Sequence, residues 1–133
     1  MGKRRDNPID YAITGTRAYG PTRKDSDLDI VMSDADADLF LERLDTAGIK
    51  VWRTDEQLEV DYGGYYIDLG GMQINIIQTG DLDSWRRATD AMKLLPEIHD
   101  RGERVEMFNT LRLMASVFPP SSICRLIWRG ENE

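Results

Sequence analysis

The stretch ITGTRAYGPTRKDSDLDIVM, residues 13–32, decides how this chain is read. An apolar pair runs into Gly15-Thr16, a short basic segment containing Gly20 follows, and then Asp27 and Asp29 flank Leu28 ahead of a hydrophobic run. DLDIVM, 27–32, alternates before turning fully apolar, which predicts a central strand. On a strand, residues two apart share a face, so Asp27 and Asp29 project together while Leu28 and Ile30 face a core. Two carboxylates this close repel unless something cationic sits between them. A hard divalent cation that takes oxygen ligands and substrate phosphates, magnesium or manganese, is the natural partner. A bare D-x-D is also an ordinary solvated strand entry. The upstream loop makes the pair more specific. Gly15 allows close approach to backbone, Thr16 offers a hydroxyl and a helix start, and Arg17, Arg23 and Lys24 supply cations for phosphate.

Working outward, residues 1–8 are polar and end at Pro8, a loose N-terminal arm, and 9–133 reads as a single domain. DYAIT, 10–14, predicts a strand that stops at Gly15, TRAYG, 16–20, one helical turn, and PTRKDS a polar loop. SDADADLFLERLDTAG, 33–48, opens with cap residues, closes on Gly48 and spaces Leu39, Phe40, Leu44 and Ala47 as a helix does. IKVWR, 49–53, predicts a strand. Residues 57–79 are β-rich and cut by Gly63-Gly64 and Gly70-Gly71, each suited to a two-residue hairpin turn. Helices are predicted over 82–95, ended or bent by Pro96, and over 100–117, where Val105, Phe108, Leu111, Met114 and Ala115 share a face. SSICRLIWRG, after Pro119-Pro120, suits a short last helix. The element order predicts an α/β domain: a small mixed β-sheet with helices packed on the face opposite the carboxylates.

The 133 residues carry 17 Lys and Arg against 24 Asp and Glu, a net charge of −7, which argues against broad nonspecific nucleic-acid or anionic-membrane binding. A single cysteine, Cys124, allows no internal disulfide and fits a reducing cytoplasm. No apolar run follows the basic start MGKRRDNPIDY as in a signal peptide, and none approaches a membrane span.

GTRAYGPTRKDSDLDI resembles the DNA polymerase beta-like nucleotidyltransferase superfamily: strand, Gly-Ser/Thr, a second glycine, then Asp-x-Asp in the next strand. Thr16 stands where Ser is usual. The chain is similar in particular to the small nucleotidyltransferase-like proteins common in phage genomes, including INIIQ, WRRAT and DRGERVEMF downstream. The similarity is closest over 10–32, weaker over 65–115 and absent from the tail. It implies a nucleotidyltransferase-like fold and a magnesium-dependent transfer of a nucleoside monophosphate from a nucleoside triphosphate to a protein, RNA or other acceptor in the cytoplasm, that of the host if the chain is phage-encoded. It implies that Gly15, Thr16, Arg17, Gly20, Arg23, Lys24, Ser26 and Asn75 contact the nucleotide and that Asp27 and Asp29 are catalytic and hold the metal. Lys93, on a later helix, stands where such proteins often carry a basic residue for the triphosphate, although a solvated lysine fits the sequence as well.

The superfamily usually adds a third acid on a neighbouring strand. Here the aligned position, within QINII, is Asn75, a weak metal ligand that cannot accept a proton. If Gly70-Gly71 is a two-residue turn, Leu69 pairs with Met72, Asp68 with Gln73 and Tyr66 with Asn75. Asp68 then becomes a diagonal neighbour of Asn75 and a candidate substitute acid. It fits a solvent-facing hairpin aspartate too. Asp61 is a more distant candidate. His99 reads as a surface residue, Cys124 as an inert thiol, and Trp85 and Trp52 as packing residues rather than base-stacking platforms. Tyr62, Tyr65 and Tyr66 offer faces that stack on a base, though strands favour tyrosine in any case. Three readings therefore stay open: an active nucleotidyltransferase, a fold that binds nucleotide without turnover, and an antitoxin-like or scaffold protein with a protein partner.

Overall fold

The computed structural model describes residues 8–24, 26–53 and 62–118. The elements run β1 (Ala12–Thr14), α1 (Thr16–Tyr19), β2 (Leu28–Ser33), α2 (Asp34–Thr46), β3 (Trp52–Arg53), β4 (Tyr62–Leu69), β5 (Met72–Thr79), α3 (Leu82–Met92) and α4 (Arg101–Val117). The strands form one mixed sheet in the order β1-β2-β5-β4-β3. β2 and β5 pair in parallel, and every other pairing is antiparallel. Asp61, Cys124, the arm over 1–7 and the expected helix in the tail lie outside the described residues.

The hairpin β4–β5 has the register that its glycines require. Gly70 (φ 59°) and Gly71 (φ 93°) both take the positive φ of a two-residue turn. Leu69 pairs with Met72, Asp68 with Gln73 and Tyr66 with Asn75. From there the strands alternate. Ile74 and Ile76 face one side, together with Met32 of β2, and Ile77 faces the other, together with Val31.

Each side has its own core, and this corrects the expectation that the helices pack on one face. α2 contributes Ala37 and Leu44 to the core around Met32, Ile67, Ile74 and Ile76. α3 and α4 contribute Trp85, Ala88, Ala91, Met92, Phe108, Leu111 and Ala115 to the core around Val31. β2 and β5 are apolar on both sides along Ile30–Met32 and Ile76–Ile77, so neither face can be left to water there. The α/β class and the mixed sheet are as expected. α3 and α4, however, lie on the same face as Asp29, two residues from Val31 on β2.

The three longer helices begin on side-chain caps, of which the one at Ser33 was expected. Ser33 Oγ accepts from Asp36 N–H, Asp81 from Ser84 N–H and Asp100 from Glu103 N–H. Two boundaries shift for local reasons. Leu94 and Leu95 donate to the carbonyls three residues back, so α3 tightens into a final turn ahead of Pro96 and ends at Met92. At the end of α2, Gly48 donates to Asp45 O and Ile49 to Leu44 O, a Schellman closure. Ile49 is thereby committed to the helix end, and the strand expected over 49–53 is reduced to Trp52–Arg53. Val105, expected on the buried face of α4, is 46% exposed. Among the described residues no helix is long and apolar enough to cross a membrane.

Ile76, fully buried on the central strand, and Leu69, 61% exposed beside the turn, bracket the packing energetics. Ile76→Ala is expected to cost about 2–5 kcal/mol in urea unfolding. Leu69→Ala should stay within about 0.5 kcal/mol of the parent. Equal losses at both positions would contradict the sheet registration described here.

Candidate functional site

Asp29 is the second residue of β2, where it pairs with Asn75 of β5 and with Thr14 of β1. Paired residues on adjacent strands share a face, so the carboxylate and the amide meet above the sheet. Asn75 Nδ2 donates to Asp29 Oδ1 at 2.8 Å and lies 3.4 Å from Asp27 Oδ2. Asn75 Oδ1 in turn accepts from Gln73 Nε2 at 2.8 Å. One amide is therefore held at both ends and bridges the two carboxylates. Burial pushes the Asp29 carboxyl above its usual range; the Asn75 hydrogen bond opposes the rise and the neighbouring Asp27 charge adds to it.

Gly15 completes the cluster. Its backbone (φ 73°, ψ −164°) lies in a region essentially reserved for glycine. A Cβ there would overlap Asp29 Oδ2 and come within 3.0 Å of its Cγ. The bare backbone at residue 15 is thus what lets the loop close over the carboxylate. The rest of the loop is pinned by its own polar groups. Gly20 N–H donates to Thr16 O at 2.7 Å, and the Thr22 hydroxyl donates to the same carbonyl. Arg17 Nε donates to Ser26 O at 2.9 Å, and Ser26 Oγ accepts from Arg23 N–H at 2.8 Å. Lys24 is exposed on the same loop. Tyr19 stacks on Phe108 at 6.0 Å and forms the wall toward α4. Burial, and then the Asp29 charge, push its hydroxyl up to about 12, against an opposing effect of Arg104.

The structure brings Gly15, Asp27, Asp29 and Asn75 together and leaves two expected members apart. Asp68 lies on the same face, paired with Gln73, but its Oδ1 accepts the Gly71 N–H at 2.9 Å and so caps the hairpin turn. It sits two strands away from β2, about 10 Å at ordinary strand spacing. Among the described residues no group of three or more His, Cys, Asp or Glu side chains is placed to hold a metal ion. Lys93 caps α3, lies 3.7 Å from Asp90, and lines an open groove of about 340 Å³ beside β1 with Ala12, Ile13, Arg86, Thr89 and Asp90.

Sequence reasoning missed Glu97, Gln73 and Tyr19 as parts of this neighbourhood. Gly20 (φ 76°) is buried with the Glu97 carboxylate where its Cβ would be. No local signal marks that contact, because Glu97 comes from the loop after α3, far away in the chain. Gln73 was legible as a face-mate of Asn75, but not as the group that orients its amide. His99 is exposed, as expected, and only its carbonyl is engaged, by Arg104. No protein-family model, curated protein or solved structure matches the chain.

The raised Asp29 carboxyl makes stability depend on pH. The folded chain holds that proton more tightly than the unfolded chain, whose value is near 3.8. The advantage is full below that value and is lost as pH rises through the folded one. Asp29→Asn cannot ionise and can still accept from Asn75 Nδ2. It is expected to melt higher than the parent at pH 7, with the difference closing as pH falls below about 3.8. A variant that melts lower at pH 7 would show that the ionised carboxylate is net stabilising.

Proposed function

We propose that this chain is a nucleotidyltransferase-type domain that binds a nucleoside triphosphate with magnesium or manganese at Asp27 and Asp29 and transfers a nucleoside monophosphate to an acceptor. The single observation that supports this reading is the convergence of Gly15, Asp27, Asp29 and Asn75. Two carboxylates share one donor at 2.8 and 3.4 Å, and a backbone without a Cβ closes directly over one of them. Such a pair fits a cation that arrives with its phosphates better than a cage built wholly of protein, since magnesium is commonly held by one or two carboxylates and completed by substrate phosphates and water. When bound, the cation would neutralise charge on the phosphoryl oxygens.

The chain's own residues have separable tasks in this reading. Asp27 and Asp29 hold the cation. Gly15 gives the phosphates access to backbone, and Arg17, Arg23 and Lys24 supply positive charge on the loop. Asn75 fixes the direction of the carboxylates. Rotation of its amide would present Oδ1 to a cation, with Gln73 turning in step because Gln73 Nε2 now holds that oxygen.

One observation favours a second reading, a domain that binds nucleotide without turnover. The group beside the two carboxylates is an amide, and an amide cannot take the proton of an attacking hydroxyl. The Asp68 carboxylate is engaged at the hairpin turn.

Combining Asp27→Asn with Asp29→Asn is expected to abolish magnesium-dependent binding of a nonhydrolysable nucleoside triphosphate while leaving the fold intact. Binding equal to that of the parent would place the site elsewhere. Pyrophosphate release separates the two readings. If the chain turns over, Asn75→Asp should raise the rate, because a general base typically contributes about 10² to 10⁴, and Asp68→Ala should leave it unchanged. If the chain only binds, neither the parent nor Asn75→Asp releases pyrophosphate.

A further inference from the structure

The carboxylate cluster belongs to a longer row. Thr14, Asp29, Asn75, Tyr66 and Trp52 are register partners across all five strands, so their side chains stand in line on one face of the sheet. The next row on that face, Ala12, Val31 and Ile77, lies under α3 and α4. Among the described residues Tyr66 and Trp52 belong to neither core, unlike Tyr65, which faces the α2 side. They stack on each other instead, with ring centroids 5.4 Å apart and planes within 10°. Lys50 Nζ lies 4.8 Å from the Trp52 ring centroid. Among the described residues this is an aromatic stack outside the cores, on the same face as the carboxylates.

The strand order fixes which way each face of the Tyr66 ring looks. β4 lies between β5 and β3. One face of the Tyr66 ring is covered by Trp52 on the β3 side, so the other looks toward β5, where Asn75 bridges Asp27 and Asp29. Two strand spacings separate β2 from β4, about 10 Å, a span comparable with the reach from metal-bound phosphates through a sugar to a base. The neighbours along that span, Asn75 and Gln73, are polar amides. A half-buried planar ring beside polar edges suits a nucleobase better than an aliphatic chain.

We infer that Tyr66, backed by Trp52, is the stacking platform for the base of the same nucleotide whose phosphates sit at Asp27, Asp29 and the Gly15 loop. This assignment rests on the proposed nucleotide site and deepens it. The rings need no base-specific hydrogen bond to act, because every base has a π-face, so the platform predicts affinity with little discrimination among bases.

The test compares magnesium complexes of a nonhydrolysable nucleoside triphosphate and of inorganic tripolyphosphate, which has no base, on the full chain. Tyr66→Ala and Trp52→Ala are expected to weaken nucleotide binding by roughly 5- to 150-fold, the usual worth of one base on an aromatic side chain. Tripolyphosphate binding should not change. Tyr66→Phe, which keeps the ring, should restore nucleotide affinity. The parent should also show nucleotide-dependent quenching of indole emission that Trp52→Phe loses. Unchanged nucleotide binding in both alanine variants, as if the rings served an acceptor or a second copy of the chain, overturns the platform and leaves the phosphate site standing. Equal losses for both ligands overturn it too, since the rings would then act only through the fold. A parent that fails to bind tripolyphosphate overturns the phosphate site and the platform with it.

Discussion

The hydrogen bond from Asn75 to Asp29 is the contact on which the candidate site depends. It exists because β2 and β5 pair in parallel with Asp29 opposite Asn75. Slipping that register by one residue would turn Asn75 to the other face and put Ile74 or Ile76 against the carboxylate. The apolar residues enforce the register from both sides, Val31 and Ile77 under α3 and α4, Met32, Ile74 and Ile76 over α2. The core thus specifies where a polar contact falls. That contact then makes a half-buried carboxylate tolerable beside a second one.

Covering both faces of a small sheet has a consequence for the site. α3 and α4 cover one row of the carboxylate-bearing face and leave Asp29 and Asn75 in the next row outside the core, so the division between the core and the candidate site runs across the sheet rather than between its faces. The two rows meet at β1. There Thr14, buried, shares a hydrogen bond with Thr89 of α3 at 2.8 Å, immediately beside Asp29. The loop from Gly15 to Ser26 is fixed at that boundary by Gly15 against Asp29 and by Gly20 against Glu97. Two glycines separated by a single helical turn therefore serve one purpose, allowing side chains from elsewhere to reach the backbone.

Much of this arrangement was legible in the sequence where a short-range rule decides geometry, although Gly63-Gly64, also expected to turn, lies within β4 and pairs with Gln78 and Ile77. Gly70-Gly71 dictated the hairpin register down to the Tyr66–Asn75 pair. The alternation in DLDIVM put Asp27 and Asp29 on one side, and Ser33, Gly48 and Pro96 marked helix ends. What was not legible depended on contacts distant in the chain. Apolar periodicity shows that 33–48, 82–95 and 100–117 each have a buried face, but not which side of the sheet each one covers. Trp52 reads as a packing residue by composition, and its stacking on Tyr66 follows only from the β3–β4 pairing, which no turn motif announces. Asp68 was placed on the correct face, while its engagement with Gly71 N–H depends on side-chain geometry within the turn.

The Asn75 amide bridges the two carboxylates and, in the proposed site, is the group a cation must contend with. The most direct measurement follows the Asn75 side-chain NH₂ resonances and the Gly15 backbone amide by ¹H–¹⁵N NMR while magnesium and a nonhydrolysable nucleoside triphosphate are added. Both signals are expected to shift together and saturate, with no such shift when the nucleotide is added without the metal. Saturable binding that leaves both signals unmoved would contradict the proposed site.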